Sequence, residues 1–84
     1  MDIISPEQLG AVIQEKRKSL DYTQQSLADA VGVSRLWVNQ IEQGKKENAS
    51  LQLIIRTLNT LGLTLRAVHK DSGPDTLNRV FEDL

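Results

Sequence analysis

The stretch that decides the fold is TQQSLADAVGVSRLWVNQIEQG, residues 23–44. Its first residue, Thr23, is a favourable N-cap, and Gly32 is the residue type that commonly ends a helix. Ser34 is a second N-cap and Gly44 a second stop, so only three residues separate the first predicted helix from the N-cap of the next. Two capped helices joined by a tight turn that contains glycine form a helix-turn-helix. The stretch therefore predicts that motif.

Two further helices flank the motif. Ser5 and Gln8 stand at the spacing of a capping box around Pro6, which predicts the start of a helix that runs to about Ser19. Ser50 caps another predicted helix. The apolar residues that we expect to line the inner face of that helix are Leu51, Ile54, Ile55, Leu58 and Leu61.

The pattern changes after Gly62, because apolar and polar residues largely alternate over residues 63–68 and β-branched residues return. That alternation predicts one strand. Beyond Pro74, a set of apolar residues at helical spacing predicts a short C-terminal helix: Leu77, Val80, Phe81 and Leu84.

The bulk composition is that of one small globular protein. With 84 residues, 39% of them hydrophobic and 25% charged, the chain has room for one domain with one core. It has no cysteine, no recognisable signal peptide and no apolar run of membrane-spanning length, so we expect a soluble, cytoplasmic protein. The net charge of -1 and the pI near 5.7 argue against binding to nucleic acid. A local cluster of positive groups nevertheless decides more than the charge of the whole chain.

A set of positions in the two helices of the motif and in the turn between them forms a recognisable signature: Thr23 to Ala28, Gly32 to Ser34, Val38, Ile41, Glu42 and Gly44. Together they closely resemble the signature of the Cro and phage-repressor-like (XRE) family of helix-turn-helix proteins. The resemblance implies an all-α, lambda-repressor-like four-helix domain that binds DNA and represses transcription. It also implies an internal ion pair between Arg17 and Glu42 that ties the first helix to the third.

The second helix of the motif, which we call the recognition helix, has two faces when its residues are placed at about 100° each. Trp37, Val38 and Ile41 share one stripe that we expect to be buried, so Trp37 is interpreted as a core residue. The opposite face is where side chains must lie to enter a major groove. In repressors that this chain resembles, the matching positions contact bases. The candidate base contacts are Arg35, Leu36, Asn39 and Gln40.

Each candidate has a chemical role in reading a base edge. Arg35 can fork onto O6 and N7 of guanine, and Leu36 can meet the methyl group of thymine. Asn39 can pair with N6 and N7 of adenine, and Gln40 can do the same or reach a phosphate. The alternative for each of them is ordinary exposure on the protein surface.

Phosphate contacts are expected from groups that flank the groove. Free N–H groups in the first turn of a helix favour an anion, and two lysines closely follow the recognition helix. The lysines can alternatively serve only as a solubilising loop. The candidate phosphate contacts are Gln24, Ser34, Gln43, Lys45, Lys46 and Asn48.

A single strand cannot satisfy its own backbone groups, and the sequence offers no convincing second strand. We therefore expect a homodimer in which the strands of two copies form an antiparallel ribbon, with two recognition helices about one DNA turn apart, or a multiple of that, on a palindromic operator. The expected layout is a DNA-binding domain over residues 1–62, a dimerisation strand over 63–70 and a tail over 71–84. The ribbon residues are Leu63, Thr64, Leu65, Arg66, Ala67 and Val68.

Four helices, a strand and a short tail in this order are also similar to the HipB-type antitoxins. That resemblance implies repression of the protein's own operon and a HipA-like serine/threonine kinase toxin as partner. The apolar tail residues would then dock on the toxin, or they pack on their own domain. Two alternatives stay open: a stand-alone phage-type or restriction-control repressor, and a protein-interaction adaptor that does not bind DNA.

An enzyme is not expected. The single histidine, His69, has no cysteine and no paired carboxylate motif near it, so neither a catalytic triad nor a metal cluster can be assembled. We therefore expect no cofactor and no metal.

Overall fold

The computed structural model describes residue 3 and residues 5–68, and this part of the chain forms four helices. They are α1 at Pro6–Ser19, α2 at Gln24–Val31, α3 at Arg35–Glu42 and α4 at Leu51–Thr60. All four helices expected from residues 5–62 are confirmed, and α3 is the recognition helix. The expected C-terminal helix lies outside the described residues, as do His69 and the four apolar tail residues.

The residue before each helix is a serine or threonine that acts as its N-cap. The first backbone N–H groups of a helix have no carbonyl acceptor within the helix, and the side-chain hydroxyl oxygen of the N-cap accepts from one of them. Four such oxygens accept a hydrogen bond, at 3.0–3.3 Å, from the backbone N–H three residues later: those of Ser5, Thr23, Ser34 and Ser50. The cap of α2 is reciprocal, because the Thr23 backbone N–H donates to the hydroxyl oxygen of Ser26 at 2.9 Å. The four expected N-caps are therefore confirmed.

The end of α3 requires glycine. Gly44 has a φ of +70°, in the left-handed region that other residues adopt only at a cost. The N–H of Lys45 donates to the carbonyl oxygen of Gln40 at 2.9 Å, and this bond closes the last turn of the helix. A β-carbon on Gly44 would also lie 2.8 Å from the Cα of Glu7. The expected stop is confirmed, and it also lets the start of α1 approach closely.

One hydrophobic core lies between the helices. α3 packs against both α1 and α2, and α4 packs against α2. The buried apolar side chains are those of Ile13, Leu27, Ala28, Val31, Trp37, Val38, Ile41, Leu58 and Leu61. The stripe predicted on α3 is therefore part of the core, and Trp37 is buried within it.

α1 lies unusually close to the end of α3, at a position that the sequence reading did not single out. A β-carbon on Gly10 would collide with the backbone carbonyl oxygens of Ile41 and Glu42. Only glycine leaves room for this approach. A glycine in the interior of a helix costs about 1 kcal/mol relative to alanine, so its presence in α1 was a usable signal of close packing.

Two expectations about the C-terminal half need correction. Leu51 and Ile55 of α4 were expected to face inward but are exposed, Leu51 to 62%, because α4 packs mainly on α2 and leaves their side uncovered. Residues 63–68 form no strand in the described part of the chain. In a single copy these residues have no neighbouring strand to pair with, and residues 64–68 are exposed.

Candidate nucleic-acid interface

α3 presents one side to the core and the other to solvent. Its inner side is buried, including Glu42, whereas Arg35 is exposed and Leu36 is 63% exposed. Asn39 and Gln40, the other two candidate base contacts, are half-buried. The four candidates therefore belong to the outer side of one short helix, and no described residue covers that side completely.

A buried ion pair holds the inner side of α3 in place. The Nε of Arg17 lies 2.6 Å from Oε2 of Glu42, and its Nη2 donates to Oε1 at 3.1 Å. The remaining Nη1 donates to the backbone carbonyl oxygen of Tyr22 at 2.8 Å. Arg17 is 8% and Glu42 7% exposed, so this planar fork is shielded from water. The ion pair implied by the family resemblance is confirmed, and it joins α1, the segment after it and the last turn of α3.

A chain of side-chain amides runs from this ion pair to the outer side of α3. The Nε2 of Gln24 donates to Oε1 of Glu42 at 3.2 Å and to Oδ1 of Asn39 at 3.3 Å. The Nε2 of Gln43 donates to the same Asn39 oxygen at 3.2 Å. Pairing with adenine would require Oδ1 of Asn39 as an acceptor. That oxygen already accepts two hydrogen bonds within the protein. The sequence reading missed this bridging position of Gln24, since nothing local to residue 24 indicates it.

The candidate phosphate contacts surround α3 but differ in what they can offer. The oxygen of Ser34 accepts from the N–H of Trp37 at 3.0 Å, which leaves its hydroxyl hydrogen able to donate. The side-chain N–H groups of Gln24 are used internally, so an anion there would bind the backbone N–H groups of the first turn of α2. Lys45 is exposed and Lys46 half-buried.

Asn48 completes this set. It is exposed and has a φ of +54° in the loop between α3 and α4, a left-handed conformation that asparagine tolerates better than most residues. The loop therefore carries its two lysines and this asparagine directly beyond the end of the recognition helix. One acidic residue, Glu47, lies between them and is also exposed.

The distribution of charge removes the objection raised by the acidic pI. Residues 1–68 contain eight lysines and arginines in total and seven aspartates and glutamates. Residues 69–84 contain two lysines and arginines and four aspartates and glutamates. Within residues 33–46 the one acidic side chain is Glu42, which Arg17 neutralises. Arg35, Lys45 and Lys46 form no ion pair with any residue that the structure describes. The surface around α3 is therefore positive although the chain is not.

Other kinds of site find no support in the described residues. Residues 3 and 5–68 contain no group of three histidine, aspartate or glutamate side chains placed to hold a metal ion. Among the helices just described, none is both long and apolar enough to cross a bilayer.

Comparisons with known proteins agree with this geometry. The helix-turn-helix family model matches residues 13–68, well over half of the chain. The ImmF control region 10 kDa protein of Bacillus phage phi105 is 32% identical over 79 residues, which cover 87% of this chain and 88% of that protein.

Solved structures give the same result. The clp gene regulator ClgR from C. glutamicum is 29% identical, with a TM-score of 0.68 over 77% of this chain and 82% of that one. A chain of the HipA-HipB-O2-O3 complex superposes with a TM-score of 0.74 over 84% of this chain and 99% of its own length, at 24% identity, which shows a shared fold. The family match and the phage relative together decide the assignment: the chain belongs to the XRE-type helix-turn-helix family of DNA-binding regulators and is not an enzyme.

Proposed function

We propose that the chain is a transcriptional repressor that acts in the cytoplasm and binds a palindromic operator as a homodimer. Each copy inserts the outer side of α3 into the major groove. The observation that carries the proposal is the contrast between the two sides of this helix. The inner side is fixed by the core and the Arg17–Glu42 pair, and the outer side carries Arg35 and Leu36 in the open.

Base contacts and phosphate contacts have different parts in this proposal. Arg35 forks onto guanine, Leu36 meets a thymine methyl group, and Asn39 and Gln40 read neighbouring base edges. Contacts to the DNA backbone hold the helix in register. They come from Gln24, Ser34, Gln43, Lys45, Lys46 and Asn48.

Exposed apolar side chains beside α4 support a dimer. Leu51 and Ile55 are exposed on the helix, and Leu65 and Val68 are exposed in the segment after it, Val68 to 64%. Within the described residues, the backbone groups of residues 64–68 make no hydrogen bond to other backbone groups. Pairing residues 63–70 with the same residues of a second copy would satisfy those groups and cover apolar surface.

A salt titration of DNA binding tests the proposal. The slope of log K against log salt is about -0.9 for each phosphate neutralised. Lys45 and Lys46 of two copies would contribute roughly -3.6, and Lys46→Ala should reduce the magnitude of the slope by roughly 1.8. Arg35→Ala should instead relax the sequence preference. A shallow slope would support the adaptor alternative, and equal effects of both substitutions would contradict the division into base and phosphate contacts.

Two kinds of repressor remain, and one observation favours each. Similarity to a phage control-region protein favours a stand-alone, phage-type repressor. The shared fold with a chain of a HipA–HipB complex supports an antitoxin whose tail, residues 71–84, docks on a HipA-like kinase. Co-expression with the product of a neighbouring kinase-like gene separates them. Co-purification with the full chain, but not with a truncation before Pro74, would support the antitoxin, and no co-purification would support the stand-alone repressor.

A further inference from the structure

We infer that Asn39 reads the operator only as a hydrogen-bond donor, and that the buried Arg17–Glu42 pair imposes this polarity on it through Gln24. The inference rests on the proposed function and names the specificity of one of its base contacts. It also replaces the sequence-based expectation that Asn39 pairs with adenine through both an acceptor and a donor.

The first step starts from the carboxylate of Glu42. A carboxylate that pairs with Arg17 has acceptors only, so the group of Gln24 that lies 3.2 Å from its Oε1 has to be the NH₂ group. The alternative orientation would bring the amide oxygen of Gln24 against the carboxylate oxygen inside a shielded site. The orientation of the Gln24 amide is therefore determined by the ion pair.

The second step passes this polarity to α3. The NH₂ group of Gln24 has two hydrogens to donate, and its nitrogen also lies 3.3 Å from the side-chain amide of Asn39. Only an acceptor can meet it, so Asn39 has to turn its Oδ1 toward Gln24. Gln43, the C-cap residue just after α3, donates to the same oxygen at 3.2 Å, so Oδ1 accepts two hydrogen bonds.

The third step concerns what remains for DNA. With Oδ1 occupied, Asn39 has only its Nδ2 group to offer, and that group has no hydrogen-bond partner among the residues that the structure describes. Two donors match guanine, which presents two acceptors, O6 and N7, whereas thymine presents one acceptor, O4. Adenine accepts one hydrogen bond at N7 but sets its N6 donor against the second hydrogen, and cytosine offers only the donor at N4, so both match Nδ2 less well than guanine does.

Selection from a randomised duplex library tests the inference. Asn39→Ala identifies the operator position that Asn39 reads, as the position whose base preference it abolishes. At that position the unmodified protein should prefer guanine over adenine by roughly five- to hundredfold, the usual discrimination of a well-placed bidentate base contact. Gln24→Met should reduce this preference to within about twofold, because Asn39 can then turn over and pair with adenine.

Gln43→Met is the matched control, since it also removes one donor to Asn39 and also alters a candidate phosphate contact. Gln43 has no bond to the carboxylate, so its loss should weaken binding to all sequences alike and keep the base preference. Adenine at the selected position, equal effects of the two methionine variants, or no position that depends on Asn39 would each overturn the inference.

Hydrogen exchange in the free protein provides a measurement without DNA. The Gln24 NH₂ group donates to two internal acceptors, so its hydrogens should exchange with solvent more slowly than those of the Asn39 NH₂ group by NMR. The reverse order would overturn the inference. If no duplex of any sequence is bound at low salt, the proposed function fails, and this exchange experiment still decides whether the amides have the inferred polarity.

Discussion

Replacing Arg17 by methionine removes the cation of a buried ion pair and leaves most of the side-chain volume in place. Three hydrogen bonds disappear, two to Glu42 and one to the carbonyl oxygen of Tyr22. The carboxylate of Glu42 then keeps Gln24 as its one donor among the described residues, although it is only 7% exposed. A carboxylate left in this position is far worse solvated than in the unfolded chain.

The expected cost of Arg17→Met is about 3–5 kcal/mol, the range found when one partner of a buried ion pair is removed. A domain of this size has a total free energy of unfolding of about 5–10 kcal/mol, so the variant should lose about 30% or more of its stability. The double variant Arg17→Met, Glu42→Leu should recover most of the loss, because two apolar side chains of similar size fill the same space without a buried charge.

Urea denaturation of the two single variants and the double variant measures this as a cycle, provided that the dependence on urea concentration stays constant. The coupling energy between residues 17 and 42 should exceed about 2 kcal/mol. A cost below about 1 kcal/mol for Arg17→Met, or a double variant no more stable than the worse single one, would refute the reasoning. Either result would mean that water reaches the pair and that it behaves as a surface ion pair.

Substitutions at three further positions have expected outcomes in the same denaturation assay. Gly10→Ala should cost about 1–3 kcal/mol or more despite the higher helix propensity of alanine, because its β-carbon meets the end of α3; a stabilised variant would contradict this packing. Gly44→Ala should cost about 1–2 kcal/mol for its left-handed conformation and more if Glu7 cannot move, and Gly44→Asn should cost less than Gly44→Ala unless that contact dominates. Thr23→Ala should cost about 1 kcal/mol, Thr23→Ser almost nothing, and equal losses would show that the cap contributes little.

The parts of the fold that depend on local chemistry could be predicted from the sequence. Each N-cap side chain accepts from a backbone N–H three residues away, and Gly44 after α3 adopts a left-handed conformation that favours glycine. Both features can therefore be recognised in short stretches of sequence. The buried side of α3 follows from the helical period alone. The Arg17–Glu42 pair came from the family resemblance rather than from spacing.

Features that depend on how helices meet could not be predicted in this way. Gly10 matters only because α1 approaches the end of α3, and Gln24 matters because it bridges two residues that are 15 and 18 positions away in the chain. The apolar period of α4 correctly indicated a helix but could not show which apolar residues its neighbours would cover. Leu51 and Ile55 were therefore placed inside although they are exposed.

The separation of α3 into two sides has a consequence for how new operators can be acquired. Arg35, Leu36 and Gln40 contribute no side chain to the buried core and, in the described residues, no side-chain hydrogen bond. Under the proposed function, exchanging them would redirect the protein to another binding site with little risk to folding. Asn39 lacks this freedom, because a new residue there also disturbs the amides behind it. A retargeted variant should therefore vary three positions of the helix and leave the fourth as it is.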